Sequence, residues 1–210
     1  AQEYWTIDGT FTTPQGEEFS AGLNAINGHK LAKLEIKDEA TAKAIEQALK
    51  GASFSVDSIE SNPAKRHPYP PFRTSTLQQE ASRKLGFTSS RTMQIAQRLY
   101  EGVDIGGETV GLITYMRTDG VDMAGEAIAA ARNAILKNFG EPYLPSVPRR
   151  YTTKAKNAQE AHEAIRPTDM FRHPASVRKA LDADQLALYD LIWKRTLASQ
   201  MESADMERTT

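Results

Sequence analysis

The chain of 210 residues contains no cysteine. That excludes a disulfide framework and any metal site built on thiolates. It also lacks an apolar run of the roughly 20 residues that a membrane-crossing helix needs. No secretory leader precedes the first strand-like stretch. The reading is a cytoplasmic protein. A large charge of one sign is absent too: 26 Lys and Arg stand against 27 Asp and Glu, a net of −1. Overall charge therefore does not announce a nucleic-acid binder. No internal repeat or low-complexity tract is visible. What is present is ordinary for a globular chain, with 40% hydrophobic and 25% charged residues in a length that fits one or two domains.

Charge is unevenly distributed. Residues 1–67 hold 7 Lys and Arg against 10 Asp and Glu, whereas residues 68–203 hold 18 against 15. From Pro63 to Arg98 there are seven basic residues and one acidic, Glu80. A second group is Arg149, Arg150, Lys154, Lys156, His162, Arg166 and Arg172. Such patches suit a phosphate backbone, and they suit a mixed solvated surface equally.

Glu3–Ile7, Phe19–Asn24, Lys30–Ile36 and Phe54–Ile59 read as strands, with Asn27-Gly28 as a hairpin signal. Asp38 caps a helix to about Leu49, ended by Gly51. Trp5 and Phe54 read as core or edge residues. Ser61–Pro71 carries prolines at 63, 68, 70 and 71, which argues for a linker and a boundary near His67. Ser75 with Gln78 predicts a capping box for a helix to Leu85, stopped by Gly86. Ser89 or Ser90 opens a second helix ending near Tyr100-Glu101. The two form a helix-turn-helix pattern, with Leu77, Ala81, Leu85, Ile95 and Leu99 facing inward.

Gly102–Gly111 reads as a loop, and Ala124–Phe139 as an alanine-rich helix ended by Gly140. The basic, proline-rich 141–156 is extended. Pro174 starts a short helix. Asp182 with Gln185 predicts a capping box for a helix through about Gln200, with Leu191, Trp193 and Leu197 as core. The fold class is α+β: a β-rich unit, then a mainly helical, winged-helix or helix-turn-helix-like part.

Leu112–Gly120 is the stretch that carries chemistry. It begins apolar and β-prone and breaks at Gly120, as a short buried strand entering a turn does. A period of two puts Tyr115 and Arg117 on one face. A phenol is a weak nucleophile at its free pKa of about 10, and a guanidinium beside it stabilises phenolate and holds phosphate bidentately. On spacing alone, a half-buried sheet tyrosine beside a surface arginine is the favoured reading.

The segment Ile113-Thr114-Tyr115-Met116-Arg117-Thr118-Asp119 resembles the active-site segment of type IA DNA topoisomerases, above all the bacterial topoisomerase I branch. Two further segments resemble the same family, in the family's order. One is Pro71 to Gln79 with Leu85-Gly86-Phe87 and Ala96 to Glu101, and the other is Gln159 to Pro167. The resemblance covers essentially the whole chain. Residues 102–111 are longer than in many of the relatives, an insertion that suits a lengthened β-hairpin beside the active-site strand and to which no function is attached.

The resemblance implies that Tyr115 attacks single-stranded DNA to form a 5′-phosphotyrosyl link, with strand passage and religation relaxing negative supercoils without ATP. It implies Arg117 as catalytic partner, His162 as a phosphate contact, and Arg166 as either a DNA contact or an orienting group. Glu160 and Glu163 read as holding Arg166 and His162 rather than a metal, and Asp119 as capping the turn or orienting Arg117. Tyr100 and Phe87 are stacking candidates, with buried packing the plainer role. The Mg2+ of the family sits on an acidic Toprim cluster whose motif this chain lacks. The expectation is therefore a central fragment, inactive alone and monomeric, with residues 1–67 and 204–210 in the arch domain and 68–203 as an inserted tyrosine-bearing domain. A non-catalytic helix-turn-helix DNA-binding module and a topoisomerase III or reverse gyrase relative are the alternatives.

Overall fold

A computed structural model describes residues 2–152 and 162–210. The chain divides into two compact units, Ala1–Ile59 and Glu60–Thr210.

In the first unit, β1 (Asp8–Thr12) and β2 (Glu18–Gly22) form an antiparallel hairpin that sets Phe11 opposite Phe19. The strands β3 (Ala25–Ile26) and β4 (His29–Lys30) close on Asn27-Gly28, both at positive φ as a two-residue hairpin turn requires. Helix α1 (Glu39–Leu49) starts where the Asp38 carboxylate accepts the Thr41 N–H at 2.8 Å. Glu3–Ile7 and Phe54–Ile59, expected as strands, are not strands, and of Lys30–Ile36 only Lys30 is in one. An alternating pattern makes a strand only beside a partner, and of 3–7 only Trp5 and Ile7 bond across, to Ile36 and Leu23. Among the described residues of this unit only Ile36 and Ala42 are buried apolar positions. Trp5 and Phe54 are not core: they are 37% and 56% exposed.

The second unit begins with a correction. Ser61–Arg66, expected as a linker, is strand β5. Its partner is the far end of the chain, and the antiparallel register runs from Ser61 opposite Thr209 to Arg66 opposite Ala204. That last strand, Ala204–Thr209, is β8. Between these strands lie α2 (Thr74–Leu85), α3 (Ser89–Glu101), β6 (Val103–Ile105), β7 (Glu108–Val110), α4 (Gly125–Phe139), α5 (Pro174–Val177) and α6 (Ala183–Ser199). Within 102–111 the expected loop is reduced to a turn at Gly106-Gly107, at φ 68° and 93°, and the hairpin that the extra length suits is there as β6 paired with β7. The hairpin follows directly on α2 and α3.

Helix α2 starts one residue before Ser75, without the expected Ser75–Gln78 box; Thr76 Oγ1 accepts the Arg73 N–H at 3.1 Å instead. Thr88, not Ser89 or Ser90, caps α3 through the Arg91 N–H. The Asp182–Gln185 box is reciprocal, with bonds of 2.8 and 3.0 Å.

Helix α6 is apolar on two sides because it separates two cores. Leu188, Tyr189 and Ile192 pack with Phe72, Leu77, Leu99, Leu112 and Met116. Trp193 and Leu197 pack with the alanine face of α4, namely Ala127, Ala131 and Ala134. Small residues on α4 permit a close approach there. The segment carrying Tyr115 and the segment 162–168 are both anchored in these cores, through Met116, Ala164 and Ile165.

Candidate active site

The Leu112–Gly120 segment does not form the expected strand. Its one ladder contact is a bridge from Ile113 to Pro167. Its bonds go instead to three different elements. Leu112 N–H donates to the Leu99 carbonyl at the end of α3, at 2.7 Å. Thr114 N–H donates to the Arg166 carbonyl, and the Thr168 N–H donates back to the Leu112 carbonyl. From Met116 onward the partner is Thr74 at the start of α2. Threonine hydroxyls replace ladder bonds: Thr114 Oγ1 donates to the Ala164 carbonyl at 2.7 Å and accepts the Arg166 N–H at 3.0 Å. Backbone groups that find side-chain partners need no neighbouring strand.

The period of two survives all the same. Met116 and Thr118 are buried, while Tyr115, Arg117 and Asp119 are exposed. Tyr115 and Arg117 therefore share one face, as the spacing predicts. The Tyr115 ring is 40% exposed and stands between two others. Tyr100 meets it edge-on with centroids 5.4 Å apart, and the His162 ring lies at 6.1 Å. Arg117 has no hydrogen bond or ion pair among the described residues, and Asp119 has none either. The turn is capped by Thr118 rather than Asp119: Thr118 Oγ1 accepts the Gly120 N–H at 2.9 Å. The same hydroxyl reaches the His162 carbonyl at 3.5 Å. A β-carbon at residue 120 would meet that carbonyl oxygen at 1.9 Å, so a larger residue there has to push the 162 segment outward.

Arg166 is turned inward. Its Nε and Nη2 donate to one oxygen of Glu163 at 2.9 and 2.6 Å, and Nη1 donates to the Pro167 carbonyl. Glu163 accepts the Ala124 N–H with its other oxygen, at 2.8 Å, and so fastens this segment to the start of α4. Holding Arg166 is the role the sequence gives Glu163. Glu160, Lys154 and Lys156 lie outside the described residues.

Of the basic run from Pro63 to Arg98, Lys65, Arg83, Lys84 and Arg91 are in ion pairs, which leaves Arg66, Arg73 and Arg98 without one among the described residues. Phe87 packs against the core, and Tyr100 is 41% exposed. Sequence reasoning missed Thr74, Thr114 and Thr118, whose common signal is a hydroxyl-rich wording around the tyrosine. Among the described residues no group of three or more His, Asp and Glu side chains can hold a metal ion, so these residues do not fit a Mg2+ site. No described helix is long and apolar enough to cross a membrane.

Comparison with known proteins adds identity to this geometry. A family model described as DNA topoisomerase matches residues 1–210. DNA topoisomerase 1 of Rickettsia felis is 55% identical over 207 residues, which is 99% of this chain and 27% of that protein. DNA topoisomerase 1 of Zymomonas mobilis is 51% identical over 209 residues, 100% of this chain and 16% of that protein. The structure of full-length topoisomerase I from Thermotoga maritima superposes with a TM-score of 0.69 at 37% identity, covering 98% of this chain and 30% of that one. This chain thus spans about a quarter or less of the curated relatives it matches. It belongs to the type IA DNA topoisomerase family of bacteria.

Proposed function

We propose that this chain supplies the strand-cutting nucleophile of a type IA topoisomerase. Tyr115 loses its phenolic proton and its oxygen attacks a backbone phosphorus of single-stranded DNA. The bond from phosphorus to the 3′ oxygen breaks, and that oxygen leaves as a 3′-hydroxyl after taking up a proton. The DNA is left joined to Tyr115 through its 5′ phosphate. The other strand passes, and the 3′-hydroxyl reverses the attack. The phosphodiester's energy is conserved in the tyrosyl link, so no ATP is consumed and negative supercoils relax. Arg117 stabilises the phenolate or the charge that builds on phosphorus. His162 contacts a backbone phosphate next to Tyr115. Arg166 works through Glu163, the orienting one of its two possible roles.

The observation that carries this reading is the alternation at 115–119. It turns the phenol and a guanidinium without a partner among the described residues to solvent together, while Met116 between them is buried. Mg2+ held elsewhere in the complete enzyme would neutralise charge at phosphate. Its ligands we assign to another part of a longer polypeptide, in keeping with the quarter or less of its curated relatives' length that this chain spans. We assign residues 1–67 and 204–210 to an arch domain and 68–203 to an insertion in it. The pairing of β5 with β8 supports this, because the chain returns to the strand from which it left. A monomer in the cytoplasm is the working form.

The test replaces the matching 207-residue segment of the Rickettsia felis protein with this chain. The chimera is expected to capture labelled single-stranded DNA covalently, and Tyr115→Phe to abolish capture while binding persists. A non-catalytic binding module would bind without any adduct. This chain alone, with plasmid and magnesium, is expected to leave supercoils intact on a gel.

A further inference from the structure

We propose that Thr74, the first residue of α2, is the positioning residue that aims Arg117. The inference rests on the strand-cleavage reading above. Thr74 Oγ1 lies 2.7 Å from the Met116 carbonyl oxygen and 3.0 Å from that of Thr118. It also accepts the Thr118 N–H at 2.8 Å, and the Thr74 N–H donates to the Thr118 carbonyl at 2.9 Å. One residue therefore holds the backbone on both sides of Arg117. A hydroxyl has a single proton, and Met116 is its nearer acceptor; the Thr118 carbonyl already has the Thr74 N–H.

Nothing else described takes this task. Arg117 has no side-chain partner among the described residues, and the Thr118 hydroxyl is spent on Gly120 and His162. A long, flexible side chain without a partner is aimed by its backbone alone. The anchor itself is firm, because α2 is seated by Leu77 and Ala81, both fully buried. The hydroxyl is not needed to start the helix, since Thr76 meets the Arg73 N–H there. What Thr74 adds is a fixed origin for the guanidinium beside Tyr115.

The test uses Thr74→Val, which keeps the shape and the backbone bond to Thr118 but removes the hydroxyl's hydrogen bonds, and Thr74→Ser, which restores them. In the chimera, Thr74→Val is expected to slow single-turnover adduct formation by about 10- to 100-fold with oligonucleotide affinity little changed. Thr74→Ser is expected to run close to the unsubstituted rate. In an Arg117→Ala background, Thr74→Val should cause no further loss, whereas a merely structural role would multiply the two losses. Equal losses in both backgrounds, or a serine variant as slow as valine, overturn the proposal. If the unsubstituted chimera forms no adduct, or Tyr115→Phe still forms one, the cleavage reading has failed instead. Positioning is then decided on this chain by amide exchange. Thr118 should exchange about tenfold faster in Thr74→Val, relative to Leu77, and not in Thr74→Ser; an unchanged rate overturns it.

Discussion

The rings of Tyr100 and Tyr115 meet edge to face, their centroids 5.4 Å apart and their planes at 65°. Both are about 40% exposed, so neither ring is fixed by burial. Tyr100 lies in the last turn of α3, and the same helix end accepts the Leu112 N–H through the Leu99 carbonyl. The backbone leading to Tyr115 and its ring are thus both referred to α3. Such an aromatic pair contributes about 0.5–1.5 kcal/mol beyond its buried area. Tyr100→Leu is expected to leave Tyr115 in several orientations and to slow covalent capture in the chimera. Tyr100→Phe, which keeps the ring, should preserve the rate. Equal rates for leucine and phenylalanine would show that the contact is incidental.

Glu163 joins two segments that are remote in sequence, holding Arg166 and the Ala124 N–H at once. The Arg166 side chain is only 15% exposed, so removing its partner leaves a largely dehydrated guanidinium. Glu163→Ala is expected to cost about 1–3 kcal/mol, measured as a lower urea midpoint. Glu163→Gln should cost less, because its amide oxygen still accepts one bond. A midpoint unmoved by Glu163→Ala would mean that water replaces the carboxylate without loss.

The residues that were legible are those whose cause is local. Asp182 and Gln185 stand three apart and bond each other's backbone. Trp193 and Leu197 stand one helical turn apart on one buried face, and Leu191 is buried on the other. Tyr115 and Arg117 keep the face that a period of two gives them. What was not legible depends on distant partners. Strand β5 exists because Ala204–Thr209 lies beside it. Proline density pointed away from a strand, yet a two-stranded ladder leaves half of each strand's backbone groups unpaired and so accommodates Pro63. Thr74 meets Thr118 across 44 residues, and no periodicity reports such a meeting. The β6–β7 hairpin lay in between. Gly106-Gly107 is a turn signal, but strands of three residues are too short to show alternation.

Asp182 offers a prediction whose size follows from that local cause. Its carboxylate accepts the Gln185 N–H at 2.8 Å at the start of the helix that separates both cores. Asp182→Ala is expected to cost about 1 kcal/mol. Asp182→Ser, which keeps an acceptor, should restore most of it. Thermal unfolding followed by circular dichroism distinguishes the two. A loss shared by both variants would place the effect in charge near the helix start rather than in the capping bond.

Tyr189 sets a limit on stability in alkali. It is fully buried in α6, and its hydroxyl donates to the Arg172 carbonyl at 2.7 Å. Burial pushes its pKa well above the usual 10.0, against the opposing charge of Arg172. Burial raises Tyr151 in the same direction. A folded-state pKa above the unfolded one gives stability that is fully present below pH 10 and lost as pH rises beyond it. The unfolded phenol releases its proton there and the folded one does not. One such group lowers stability by about 1.4 kcal/mol per pH unit above that point. Tyr189→Phe is expected to cost about 1 kcal/mol at neutral pH, through the lost hydrogen bond, and to flatten the alkaline fall. Urea midpoints between pH 8 and pH 11 read both effects. If the variant and the parent fall in parallel above pH 10, Tyr189 ionises as readily folded as unfolded, and its burial does not restrain it.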